Sequence, residues 1–170
     1  MTDSVACPGC GLLHTAHGLD HAQDLLASGE CVAQHAAAVS CFYSDPDLVR
    51  RRQYVVDAYA CQHPLATTRR GVQTTALCLM TLDLVLERGL DVALGSALHQ
   101  EMMRERPDVF VALAAPDLRT ALTYRHLSSA AYQPARGERA REWAQSVWDA
   151  WTPHHGQIRQ WNQLLVPHRL

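Results

Sequence analysis

Apolar positions recur along the chain at three- and four-residue intervals, and the interruptions between them carry helix start and stop signals. Residues 18–27 and 30–43 read as two short helices separated by Ser28-Gly29. Ser44-Asp45-Pro46-Asp47 is a helix start: a capping hydroxyl or carboxylate, proline in the first turn, and acid at the positive end of the dipole. That helix should run through Arg52, Val56 and Tyr59 and stop near Gln62, because Pro64 disfavours helical backbone at His63. Thr67 or Thr68 caps the next helix, which ends at Glu87-Arg88-Gly89 with a cationic last turn and a following glycine. Its apolar residues surround most of the axis from Val72 to Leu86, which makes it the expected central helix.

Asp91 caps a further helix to about Arg106, and Pro116-Asp117-Leu118 opens another to about Ala130. Residues 132–137 read as a loop and 138–151 as a long amphipathic helix. Pro153 either kinks that helix or restarts it through Leu165. About seven helices with short connections give an all-α multi-helix bundle. The expected organisation is a single helical domain over 1–170, with an N-terminal zinc-knuckle arm (1–44) packed on the bundle (45–166).

Composition narrows the function classes. The chain has 170 residues, an apolar fraction of 48% and a net charge of -2. Such a charge supplies no basic field for nucleic acid or an anionic membrane. Arg50-Arg51-Arg52 and Arg69-Arg70 flank one helix, but nearby acids balance them, as on an ordinary solvated face. All the basic residues are arginine, so Schiff-base, phosphate-loop and general-base lysines are excluded. The start carries an acid and no basic stretch, and no apolar run reaches the length of a membrane span, so the expected location is cytoplasmic. In a reducing compartment six cysteines point to metal binding or core packing before disulfides.

Cys7-Pro8-Gly9-Cys10-Gly11 is the sharpest chemical signal. Two thiolates three positions apart in a glycine-bearing turn can reach one tetrahedral ion, and no βαβ pattern surrounds them as a redox motif would require. Cys31 is the next cysteine, and Cys31 with His35 lies on one helical face, giving a C-x2-C-x20-C-x3-H spacing. His63, Cys41, His14, His17 and His21 compete for the last position, while Cys61 and Cys78 sit in apolar helical stretches as small core residues. In Asp57-Ala58-Tyr59-Ala60-Cys61-Gln62-His63-Pro64, either His63 is a ligand with Asp57 or Gln62 behind it, or a helix end is capped by its own side chains. Trp143, Trp148, Trp151 and Trp161 form an aromatic stripe of the kind found in cores. Of the tandem His154 and His155 at most one faces inward, and His99 and His126 read as lone histidines without function.

These motifs together resemble an uncharacterised family of short bacterial proteins, a domain of unknown function. The shared pattern is Cys-Pro-Gly-Cys-Gly (7–11), Glu-Cys (30–31), Tyr-Ser-Asp-Pro (43–46) and Val-Asp-Ala-Tyr-x-x-Gln-His-Pro (56–64). It continues with Leu-Val-Leu-Glu-Arg-Gly (84–89) and Trp-Ala-x-x-Val-Trp-x-Ala-Trp-x-x-His-His (143–155). The resemblance marks Cys7, Cys10, Cys31, His63 and His155, favours Cys31 over Cys41, and favours His63 over His35 as fourth ligand. Arg52 and Thr75 stand where relatives often carry histidine. A weaker resemblance links 154–158 to the terminal helix of DinB-like metal-binding bundles, although Trp151 replaces their upstream histidine.

The expected function is thus a zinc-binding helical protein with a mainly structural ion and a binding or regulatory role toward a protein or small-molecule partner, with homo-oligomerisation open. The alternative is a metal-dependent hydrolase or thiol transferase of DinB-like type, using a site lined by His63, His155 and Asp57.

Overall fold

The computed structural model describes residues 3–105, 107–128 and 133–170. It is an all-α multi-helix bundle with a short β-hairpin at its N-terminal edge. Strands β1 (Ser4–Ala6) and β2 (Leu13–Thr15) pair antiparallel, with Val5 opposite His14, and the cysteine turn lies between them. The sequence pattern carried no signal for this hairpin, because three-residue strands are too short to show alternation.

Residues 18–27, expected as a helix, are irregular. Two of their backbone donors bond outside the stretch: Leu19 N–H donates to Glu30 Oε1, which also accepts from His17 N–H, and Leu26 N–H donates to the His63 carbonyl. The expected helix 30–43 forms as α1 (Gly29–Val39) and α2 (Cys41–Ser44), with Ser28 capping α1. Asp45 caps α3 (Pro46–Val49) by accepting from the Asp47 and Leu48 N–H groups. A turn at Arg50 and Arg51 then separates α3 from α4 (Arg52–Gln62), where a single helix was expected. The Val49 carbonyl left free at this break accepts from Arg52 Nη1 at 2.9 Å.

Thr68 caps α5 (Arg69–Leu82), whose last stretch widens into a π-helical turn, Asp83–Glu87, before Gly89 ends it at φ 73°. α5 packs against α4, α6 (Gly95–Glu105), α8 (Gln133–Ala150) and α9 (His155–Leu165), so it is central, and α4 lies between α5 and α8. Asp91 caps the short 3-10 turn that leads into α6; Arg106, its expected end, lies outside the described residues.

Two further expectations are corrected. Residues 116–128 do not form one helix but a 3-10 turn, Leu118–Thr120, and a short helix α7 (Arg125–Ser128), with the expected end at Ala130 outside the described residues. Gln62 Nε2 donates to the carbonyls of Leu118 (3.4 Å) and Leu122 (2.8 Å), and Ser146 Oγ accepts from Leu122 N–H, so these groups are not available to a helical ladder. The supposed loop 132–137 is already helix from Gln133, with Tyr132 outside the described residues; Pro134 sits in the first turn, where proline costs no hydrogen bond. At Pro153 the chain turns and restarts as α9.

The core gathers at the α4–α5–α8 contact. Trp143, Trp148 and Trp151 are fully buried, and each indole N–H has an acceptor: Gln62 Oε1 at 3.2 Å, Glu87 Oε1 at 2.8 Å and the Cys61 carbonyl at 3.1 Å. Satisfied indoles let large rings pack inside without an orphaned donor. Among the described residues no helix is long and apolar enough to cross a membrane.

Candidate metal centre

Cys7 and Cys10 are fixed by the turn that closes the hairpin. Cys7 N–H donates to the Leu12 carbonyl at 2.8 Å, Gly11 N–H donates to the Cys7 carbonyl at 2.9 Å, and Gly11 takes φ 74°, which favours glycine. Gly9 is needed for a different reason. A Cβ there would lie 2.6 Å from both His63 Cδ2 and the Leu26 carbonyl oxygen, so only glycine lets the turn approach the end of α4. Cys31 sits in the first turn of α1, its N–H donating to Ser28 Oγ at 3.2 Å. The positive end of that helix favours a thiolate.

His63 ends α4, with φ -126° and ψ 52° imposed just before Pro64. Its Nδ1 lies 2.7 Å from the Tyr59 carbonyl oxygen, which can only accept, so Nδ1 carries a proton and Nε2 is the nitrogen left for a metal ion. That nitrogen faces the cysteines: Nε2 is 3.6 Å from Cys31 Sγ, and Cys10 Sγ is 3.8 Å from Cys31 Sγ. Ligand atoms of Cys7, Cys10, Cys31 and His63 all lie within 4.8 Å of one another, and all four residues are buried.

The donor set fits a tetrahedral metal ion. Thiolates about 2.3 Å from such an ion lie about 3.8 Å apart, and a thiolate and an imidazole nitrogen about 3.6 Å apart. Both observed separations match those edges. Electrostatics points the same way. Hydrogen bonds from Cys10 and Cys31 hold Cys7 far below the ordinary thiol range, while Cys31, facing those same thiols, is pushed far above it. Burial pushes His63 down, but Cys10 and Cys7 outweigh it and raise it to about 9. With protons alone, favouring the Cys7 thiolate works against the Cys31 thiolate, whereas a bound dication would favour the ionised form of every sulfur that holds it. Tyr59 supports the cluster twice, by its carbonyl on His63 and by its hydroxyl donating to Cys31 Sγ at 3.5 Å.

The other sequence candidates lie elsewhere. His35 does not join the sulfurs; its ring stacks on Tyr59 at 3.7 Å between centroids. His155 stacks on Trp148, also at 3.7 Å, and its Nε2 meets the Trp148 carbonyl at 3.0 Å. Gln62 is a core bracket between α8 and the segment carrying Leu118 and Leu122. Asp57 lies with Gln53, His99 and Cys78, and Cys61 and Cys78 are buried beside one another. Sequence reasoning passed over Tyr59, whose only signal was its position four residues before His63.

Fold and site together define a helical protein with a buried cluster of three cysteines and one histidine capable of holding a metal ion. The chain belongs to the family of unknown function DUF5946, whose model matches residues 5–152, a span that includes all four cluster residues. No curated protein and no solved structure matches it.

Proposed function

We propose that Cys7, Cys10, Cys31 and His63 bind one zinc ion whose role is structural. The observation that carries this is closure: three sulfurs and one nitrogen, all buried, would fill a tetrahedral shell and leave no position for substrate. The ion would join three elements, the hairpin turn, the start of α1 and the end of α4, and so fasten the arm 1–44 to the bundle 45–166 as a single domain. Six free cysteines suit a reducing cytoplasm.

The fastened arm presents Leu13, Leu19 and Leu26 to solvent, and its ordering is the means by which zinc would serve a binding or regulatory role toward a protein or small-molecule partner. The test is metal content with limited proteolysis. Purified protein should carry one zinc at this site, lost in Cys10→Ser and in His63→Ala, with new cleavage between Gly11 and Ser28. Retention of the ion in both variants would refute the assignment.

A further inference from the structure

A second group of ligand-type side chains lies inside the bundle, away from the hairpin. Asp57 on α4, Cys78 on α5 and His99 on α6 bring a carboxylate oxygen, a sulfur and a ring nitrogen within 4.8 Å of one another. Asp57 is 1% exposed and Cys78 3%, in the packed interior of three helices. A carboxyl group at such depth needs partners that satisfy its oxygens. Gln53 Nε2 donates to Asp57 Oδ1 at 2.8 Å, and Ser96 Oγ donates to Gln53 Oε1 at 3.3 Å, so the carboxylate is oriented from both α4 and α6.

His99 stands beside that carboxyl group, but its geometry is not that of a hydrogen-bonded ion pair. Its Nε2 is 3.3 Å from Asp57 Oδ1, yet this buried nitrogen makes no hydrogen bond. The two atoms are neighbours that do not point at each other. A nitrogen and an oxygen each about 2.0–2.1 Å from one tetrahedral ion would sit about 3.3 Å apart in that way, both directed at a common third point. The Cys78 thiol flanks the same point and interacts with both Cys61 and Asp57.

We propose that Asp57, Cys78 and His99 form a second metal site, specific for a divalent transition ion of the zinc type. Carboxylate, thiolate and imidazole together suit a borderline-soft cation better than calcium or magnesium, which take oxygen ligands. Three protein ligands leave the fourth position to a non-protein ligand, the arrangement of open rather than closed zinc sites. His99, 23% exposed, provides the edge nearest solvent. Gln53 is the positioning residue that holds Asp57 toward the ion.

Cobalt(II) titration of the metal-free full-length protein, followed by visible absorption, tests this independently of the cysteine-rich centre. Wild-type protein should take up two equivalents, and the absence of any equivalent sensitive to Asp57→Asn and His99→Gln overturns the proposal. Asp57→Asn and His99→Gln should each lose one equivalent while keeping the intense sulfur-to-cobalt absorption of the Cys7–Cys10–Cys31 centre. His63→Ala should lose only the other equivalent, so failure at one site is distinguishable from failure at the other. Gln53→Ala, which leaves all three ligands in place, should weaken the second equivalent about 10- to 100-fold. Two equivalents bound with unchanged affinity in His99→Gln or Gln53→Ala also overturn it. X-ray absorption of zinc-loaded His63→Ala, collected with only the second site filled, should show one sulfur per metal; a sulfur-free or three-sulfur shell contradicts the assignment.

Discussion

Cys31 and Tyr59 show how much of the candidate metal centre depends on single atoms. The Tyr59 hydroxyl donates to the sulfur while its backbone carbonyl fixes the His63 tautomer, so Tyr59→Phe removes one of these supports and leaves the other. Zinc affinity should fall about tenfold in that variant, measured by competition with a chelator, because outer partners typically contribute 10- to 100-fold. Cys10→Ser should lose much more, since it removes a ligand outright. His35 behaves differently. Burial, aided by the nearby His63, lowers its imidazole from the ordinary 6.5 to about 4. The native state therefore refuses a proton that the unfolded chain accepts, and the associated stability is present in full above pH 6.5 and disappears as pH falls toward 4. The His35 ring resonances should titrate with a midpoint near 4, and His35→Phe, which keeps a ring on Tyr59, should flatten this part of the acid limb in denaturant melts. A midpoint near 6.5 would contradict the buried, neutral assignment.

Elements whose signals were local were legible in the sequence. Asp45, Thr68 and Asp91 each cap the element that follows them, as their spacing implies, since a cap bonds an N–H group two or three residues away. Where long-range partners intervene, local signals mislead. The helix expected after Pro116 fails because Gln62, far back in the chain, claims two of its carbonyls. In the stretch 18–27, Glu30 and the His63 carbonyl take the Leu19 and Leu26 N–H groups, and the chain folds irregularly around them. Gly137 resembled a loop residue, but it is a helical position where a Cβ would lie 2.7 Å from Arg51 Cδ. The same division holds for the sites. The pair Cys7 and Cys10 is visible as a motif, whereas His99 looked solitary because its neighbours, Asp57 and Cys78, lie on other helices. Two substitutions test the element level. Gly9→Ala should destabilise the arm by about 1–3 kcal/mol through overpacking against His63, read as a lower melting temperature of the zinc form. Gln62→Leu strands two carbonyls and the Trp143 N–H, and each orphaned group costs about 1–3 kcal/mol, so the denaturation midpoint should drop sharply.

At the scale of the whole molecule, the arm and the bundle should respond unequally to metal removal. The fully buried Trp143, Trp148 and Trp151 sit at the α4–α5–α8 contact, whereas the hairpin is held by its short ladder, by α1 and the end of α4, and by Arg125 Nη2 donating to the Leu13 carbonyl. Chelation should therefore leave the far-ultraviolet helical signal largely intact while opening the arm to protease, and parallel loss of both would show that the bundle depends on the ion. The spacing of the four proposed ligands also has a consequence for synthesis. Three of them have emerged once Cys31 is made, but the fourth follows 32 residues later. At about 5–20 residues per second, a translating ribosome takes roughly 2–6 seconds to cover that interval. For that time the nascent chain carries three thiols that His63 cannot yet help to enclose, which makes completion of α4 the step that would commit the arm and the interval before it the one most open to oxidants.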